Sequence, residues 1–272
     1  MTHMGLKTIQ KYIRIYGVLL KYSIIQSTTY RANFFWEQLI ELGYQTGLVV
    51  FFYALFGHIT EIAGWSYYEV LFLAGVNIVY GGLLWGMVFV FGLTRLPEDI
   101  KNGNVDIALL KPLNPLFNLT LSKPYFTSLS SPLIGLGIMY YAVLKIGRAI
   151  PIQNILFGII IFCCGLIIAY SIAVMSSSLS FRFINSTAFQ QVGERVINMY
   201  TRNPHSVYRG GLRIILFFIL PLVFVSSIPS STVLRGVEFE YVFLGVGLAA
   251  IFLCAAILVW NRMIRYYSSA SS

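Results

Sequence analysis

The sequence predicts an all-α integral membrane protein of six transmembrane helices with cytoplasmic N- and C-termini. Three observations carry that prediction: the apolar composition, a succession of long uncharged runs, and the one-sided placement of Lys and Arg. Of 272 residues, 57% are hydrophobic and 11% charged, and the mean hydropathy is +0.76. A soluble core requires far less, so a water-soluble fold is excluded.

A helix of about 20 apolar residues, rising about 1.5 Å each, crosses the roughly 30 Å hydrocarbon core. The uncharged runs are Leu42–Gly57, Val70–Thr94, Pro124–Leu144, Ala149–Phe181, Ile214–Leu234 and Tyr241–Asn261, and all but the first hold at least 21 residues. The first is led in by Asn33–Trp36 through Glu37 and Glu41, which share a helical face at i, i+4 spacing near the membrane entrance. Open strands would leave backbone groups unpaired in hydrocarbon, and no ten-residue porin-type alternation appears. The spans are therefore helical.

With both termini inside, the inner segments hold Lys7, Lys11, Arg14, Lys21, Arg31, Arg95, Lys101, Lys111, Lys123, Arg182, Arg195, Arg202, Arg209, Arg213, Arg262 and Arg265. Only Lys145, Arg148 and Arg235 fall outside, so sixteen of the 19 basic residues stay on the side of insertion. The +9 charge is thereby accounted for without nucleic acid, since no soluble basic face exists to bind it. Cys163, Cys164 and Cys254 lie inside spans as small apolar fillers, with no disulfide or metal site implied.

The whole chain, 1–272, reads as a single transmembrane domain. Residues 1–31 form a basic amphipathic helix in the cytoplasmic interface: Leu6, Ile9, Ile13, Tyr16, Leu20 and Ile24 recur at helical spacing opposite Lys7, Lys11, Arg14 and Lys21. No cleavable signal pattern precedes it, so it is expected to be retained. The outer loops, His58–Ser66, Lys145–Ile150 and about Pro229–Glu240, are short. Two longer inner loops, 94–123 and 182–213, offer a soluble partner its contact surface.

In the first inner loop Pro97 suits the first helical position, and Glu98 and Asp99 favour the positive end of the helix dipole. Gly103 stops that turn, Asn104 caps a second short helix carrying Asp106, and Pro112 ends it. Ile100, Val105, Leu109 and Leu110 give this knob more apolar surface than a solvated loop needs, so they bury against the bundle or a partner. In the second inner loop Phe189, Val192, Val196 and Met199 form a stripe, most simply the packing face of a surface-lying helix, until Pro204 breaks the chain.

No catalytic or metal-binding constellation emerges. His3, His58 and His205 are far apart in the topology, and a His-Glu-x-x-His pattern is missing. Carboxylates stand near span ends, which disfavours ion coupling. Glu37 and Glu41 are the candidates for a transport path, against the plainer role of interfacial anchors. Gly81-Gly82 and Gly210-Gly211 lack a phosphate-binding continuation, so ATP, if it drives the protein, is bound with Mg by another chain and not as a cofactor of this one.

The stretch Ile100-Lys101-Asn102-Gly103-Asn104-Val105-Asp106-Ile107-Ala108-Leu109-Leu110-Lys111-Pro112-Leu113-Asn114-Pro115 resembles the I-x-x-G-x-x-D-x-x-L-L-x-P-L-x-P signature of bacterial ABC-2 type permeases. Asn203-Pro204-His205-Ser206-Val207-Tyr208, followed by Leu212-Arg213, Pro221 and Pro229, resembles the second signature of that subfamily, with Asn203 in place of an aromatic residue. The resemblance covers essentially the whole chain. It implies a non-enzymatic transport subunit in the inner (plasma) membrane, exporting an amphipathic or hydrophobic substrate with a separate ABC ATPase and a second permease subunit, identical or sister. It also implies that Pro97, Glu98, Asp99, Ile100, Lys101, Gly103, Asp106, Leu109 and Leu110 couple to the ATPase, the carboxylates meeting basic groups there. The alternatives are a secondary transporter or channel, which would move solute without ATP, and a scaffold or receptor, which would show no flux.

Overall fold

Two long helices lead the chain, α1 (Thr2–Thr29) and α2 (Arg31–Phe56), and α2 ends at a tight turn closed by mutual backbone bonds between Ile62 and Trp65. The computed structural model describes residues 2–29, 31–89, 93–121, 124–125, 128, 130–183, 195 and 201–267. Helix α3 (Tyr67–Gly81) starts at a capping box, the Glu69 carboxylate accepting the Ser66 backbone N–H at 2.9 Å. It continues as a π-helical segment, Gly82–Phe89. Three short helices follow, α4 (Leu96–Lys101), α5 (Asn104–Leu109) and α6 (Pro115–Thr120). The chain then climbs α7 (Ser130–Ile146) and descends α8 (Ile152–Ser178), which ends in a 3-10 turn, Leu179–Phe181.

Helix α3 packs against α7, where the backbones meet at Gly75 and Gly135. A Cβ on Gly135 would stand 2.7 Å from the Gly75 carbonyl oxygen, and one on Gly75 2.8 Å from that of Gly135. Small residues permit such contact between membrane helices. Helix α8 is the centre of the main core, with Ile161, Ile168 and Val174 buried. The outward face of α2 stays apolar and exposed at Phe35, Trp36, Ile40 and Phe51, as a lipid-facing helix requires.

Among the described residues, four helices are long and apolar enough to cross a bilayer: Arg31–Phe56, Tyr67–Gly86, Ile152–Phe181 and Phe239–Tyr266. Ser130–Ile146 is apolar but shorter. The expected fifth span, Ile214–Leu234, is not one helix. Helix α9 (Gly210–Ile214), extended by a π turn to Ile219, breaks at Leu220–Pro221, where proline offers no N–H to continue it. After a 3-10 turn at Leu222–Phe224 the chain returns as α10 (Ser227–Arg235), and α11 (Phe239–Met263) descends beside α8. The α9–α10 hairpin begins and ends at one end of the bundle: Arg213 lies beside Tyr241 at the start of α11, and Arg235 pairs with Glu69 at the start of α3. Its tip reaches inward to Gly165 of α8, whose missing side chain admits the Phe224 carbonyl. Sequence periodicity could not show this, because a hairpin and a span of equal length are equally apolar.

The second expected inner loop, 182–213, also differs from a single inner loop. Phe181 packs on Trp260 and Arg182 covers Tyr266 at the end that bears α4. Ser206 instead donates to the Ala63 carbonyl at 3.0 Å, in the turn before α3, at the opposite end. The two ends of that segment lie at opposite ends of the bundle. The stripe Phe189, Val192, Val196 and Met199 is outside the described residues, as are Lys123 and the Ser268–Ser272 tail.

Helix α1 is tied to the start of α6, next to the knob: the Asn114 N–H donates to Tyr12 Oη at 2.9 Å, and the Tyr12 and Phe117 rings meet edge-on at 4.7 Å. Tyr12, Tyr16 and Leu20 form its half-buried face, whereas Ile13, placed on the packed stripe by periodicity, points outward.

Candidate functional site

Two features stand out, a protruding knob at one end and a polar cavity within the helices. The knob comprises α4 and α5, joined at Gly103, whose φ of 71° is left-handed and suits glycine. Gly103, and not Asn104, precedes α5. Asn104 begins the helix and its Nδ2 donates to Asp99 Oδ1 at 2.9 Å, tying the two short helices together. Helix α6 has the side-chain cap: Asn114 Oδ1 accepts the N–H groups of Leu116 and Phe117, with Pro115 at the first position.

The structure divides the sequence-predicted coupling residues. Pro97 and Asp99 are buried, Ile100, Gly103 and Asp106 are half-buried, and Glu98 and Lys101 are exposed. Val105 is fully buried in the main core. Leu109 and Leu110 are exposed, Leu110 at 86%, and Ile107, which the sequence did not single out, joins them at 61%. The knob thus roots itself through Leu96 and Val105 and leaves an outward apolar face. Of its carboxylates, Asp99 is held by Asn104 and Asp106 lies beside Tyr267, whose hydroxyl is pushed up by burial and by that carboxylate. Glu98 is the one turned to solvent. The knob is mechanically tied to the bundle, since Asn118 Nδ2 donates to the Ala108 carbonyl at 2.9 Å and the Thr120 and Tyr170 hydroxyls meet at 3.2 Å.

The cavity, about 200 Å³, lies among α2, α3, its π segment, the start of α7 and the Thr201–Arg202 segment. Glu41 stands ten residues into α2, about 15 Å along the helix. Its Oε1 accepts from Gln45 Nε2 at 2.7 Å and from Ser131 Oγ at 2.8 Å. Across the space, the Thr201 carbonyl accepts from Asn77 Nδ2 at 3.2 Å and from the Ser226 hydroxyl. That fixes the next residue, Arg202, whose guanidinium covers the Tyr44 ring at 5.6 Å. Glu37 is separate: it accepts from Asn33 at 2.7 Å on the exposed side and does not line the cavity.

Sequence reading placed Glu41 near a span end and Arg202 in an inner loop. Because α2 starts well before the uncharged run and Thr201 is buried against α3, both charges face one internal space. Charged groups in such positions are costly to bury, which makes this cavity a candidate site. Gln45, Asn77, Tyr80 and Ser131 were not singled out, though Gln45 continues the i, i+4 series from Glu37 and Glu41.

At the other end, Arg235 covers Trp65 at 4.6 Å and donates to the Gly64 carbonyl at 2.6 Å and to Glu69 Oε2 at 3.1 Å. The His205 N–H donates to Ser227 Oγ at 2.6 Å, and Nδ1 lies 2.8 Å from that hydroxyl. Burial, then Arg213 and Arg235, push the His205 pKa down to about 4.

A family model described as ABC-2 family transporter protein matches residues 42–271. No curated protein and no solved structure matches the chain. The family match runs from the middle of α2 through the knob and the hairpin to the end of α11, over most of the chain's length. This chain therefore belongs to the ABC-2 transporter family, as a multi-pass membrane protein of the permease kind.

Proposed function

We propose that the chain is the membrane subunit of an ATP-driven exporter, with six crossings in the inner (plasma) membrane and both termini cytoplasmic. Two permease subunits, identical or sister, enclose the path, and separate ABC ATPases bind the ATP and Mg. The observation that carries this reading is the apolar face of the knob. Ile107, Leu109 and Leu110 are exposed on an element otherwise rooted in the core, and a hydrophobic face on a knob that also exposes the charges of Glu98 and Lys101 suits a protein partner. Pro97, Asp99, Ile100, Gly103 and Asp106 shape the knob, while Glu98 and Lys101 meet the partner directly. Its motion passes to α8 through Thr120 and Tyr170 and to α1 through Tyr12. An amphipathic substrate then moves outward past the Glu41 cavity, with Glu37 at its approach.

The test is Leu110→Asp in the complex with its ATPase. Substrate-stimulated ATP hydrolysis is expected to fall about tenfold or more, as for loss of a well-packed interface anchor, while the permease inserts and melts as the wild type does. Unchanged stimulation, or solute flux through the purified permease alone in liposomes, counts against the reading.

A further inference from the structure

The cavity among α2, α3 and Arg202 has a chemistry that specifies a ligand. Its deep wall is rich in acceptors. Gln45 is 7% exposed and Tyr80 1%, yet Gln45 Oε1 and Tyr80 Oη have no hydrogen-bond partner among the described residues. Both residues line the cavity. A buried polar atom left unpaired loses the hydrogen bond it had in water, so an occupant is expected to satisfy it. Beside Gln45 Oε1 stands the Glu41 carboxylate, which accepts from Gln45 Nε2 and Ser131 Oγ on the same oxygen, Oε1. On the opposite side is Arg202, and no ion pair within 4 Å joins it to Glu41. A carboxylate and a guanidinium thus face one internal space without neutralising each other, although charges in a membrane bundle ordinarily pair.

The mouth adds the second half of the specification. Tyr44, at the rim, is 53% exposed on the apolar outer face of α2, between the exposed Ile40 and Val50. A molecule with its polar head in the cavity would lay an apolar tail along that face.

We propose that this cavity binds the zwitterionic head of an amphiphile, its ammonium at Glu41 and Gln45 Oε1 and its anionic oxygens at Arg202. An ammonium supplies N–H donors for both acceptors, and a phosphate or carboxylate matches the guanidinium fork. A purely cationic amphiphile would leave Arg202 uncompensated and a purely anionic one would face Glu41, so the pair selects for both charges in one head. Its status as substrate rests on the permease reading, whereas binding to this chain does not.

The experiment titrates the detergent-solubilised chain, following tryptophan fluorescence, with four short-chain probes: a phosphatidylethanolamine, O-decanoylserine, dodecylamine and a phosphatidylglycerol. The near-isosteric Glu41→Gln and the Arg202→Gln variants are compared after thermal melting shows them folded. If a variant fails to fold, Ser131→Ala, which removes one bond to Glu41, is read instead. At least one zwitterion is expected to bind the wild type tightest, and to bind each charge variant roughly tenfold or more weaker, the scale of one charge-assisted bond. Preference for phosphatidylethanolamine assigns a phosphate head, and preference for O-decanoylserine a carboxylate head. Equal binding of the zwitterions to wild type and both variants overturns the proposal. Dodecylamine or phosphatidylglycerol binding the wild type as tightly as either zwitterion overturns it too. Specific binding without ATP-dependent flux of the bound probe in the reconstituted complex would remove its status as substrate and leave the site standing.

Discussion

At the scale of single residues, the fold depends on places where a side chain is missing as much as on those where one is present. Gly135 is the clearest: a Cβ there would meet the Gly75 carbonyl oxygen at 2.7 Å and Val79 Cγ2 at 2.8 Å, and a backbone oxygen cannot swing aside. Gly137, two residues on, has nothing within 4 Å of a Cβ. Gly135→Val should therefore destabilise the α3–α7 pair by about 1–3 kcal/mol, the usual cost of overpacking, while Gly137→Val should be near neutral. Thermal unfolding of the two variants in the same detergent checks this, and equal melting temperatures would show that the helices can separate without loss. The consequence reaches the cavity, because Asn77 and Ser131 ride on these two helices. Gly75 and Gly135 were visible in the sequence, but nothing in it pairs them, since they become neighbours only when two runs 60 residues apart pack together.

At the scale of elements, the α9–α10 hairpin carries the sharpest departure from the sequence reading. Hydropathy measures how apolar a segment is and not whether it turns back, so Ile214–Leu234 passed for a span despite Pro221 and Pro229 within it. The serines at its turn, Ser226, Ser227 and Ser230, are buried and hydrogen-bonded, two of them across to the Thr201–His205 segment. They hold the hairpin through His205, and that arrangement has a pH signature. The folded His205 titrates near 4 against an ordinary 6.5, so between those values the unfolded chain binds more protons. Stability contributed here is complete above about pH 6.5 and is lost as pH falls toward 4. The wild type should melt at a lower temperature at pH 5 than at pH 7.5, and His205→Gln should flatten that difference. An undiminished pH dependence in the variant would assign it to other groups. The knob, by contrast, was largely legible, because Pro97, Gly103 and Pro112 set its turns by local backbone chemistry. What remained hidden was which of its apolar residues face inward: Val105 does and Ile107 does not, a matter of docking that local pattern cannot decide.

At the scale of the whole molecule, charge placement and packing give different accounts of which residues share a side. The positive-inside count groups Arg209 and Arg213 with Lys101 and Lys111, but Arg213 meets Tyr241 at the top of α11 while Lys101 ends α4 at the other end of the bundle. The rule weighs residues in loops, and Arg213, like Arg202, is held by structure: Arg213 covers Phe217, and Arg202 covers Tyr44. The membrane class, the helical architecture and the knob survive that reassignment, because they rest on hydropathy and on local turns. The position of 201–209 does not, because it is set by contacts with Ala63, Asn77 and Ser227 that are distant in sequence. If the knob faces the cytoplasm, Val207, which is 43% exposed beside the Trp65 turn, faces outward. In a background with Cys163, Cys164 and Cys254 replaced by Ala, a membrane-impermeant thiol reagent added to intact cells should label Val207→Cys and spare Asn104→Cys until the cells are opened. Labelling of both from outside, or protection of both, would mean that the two segments share a side, and the hairpin could not then be inserted from the face opposite the knob.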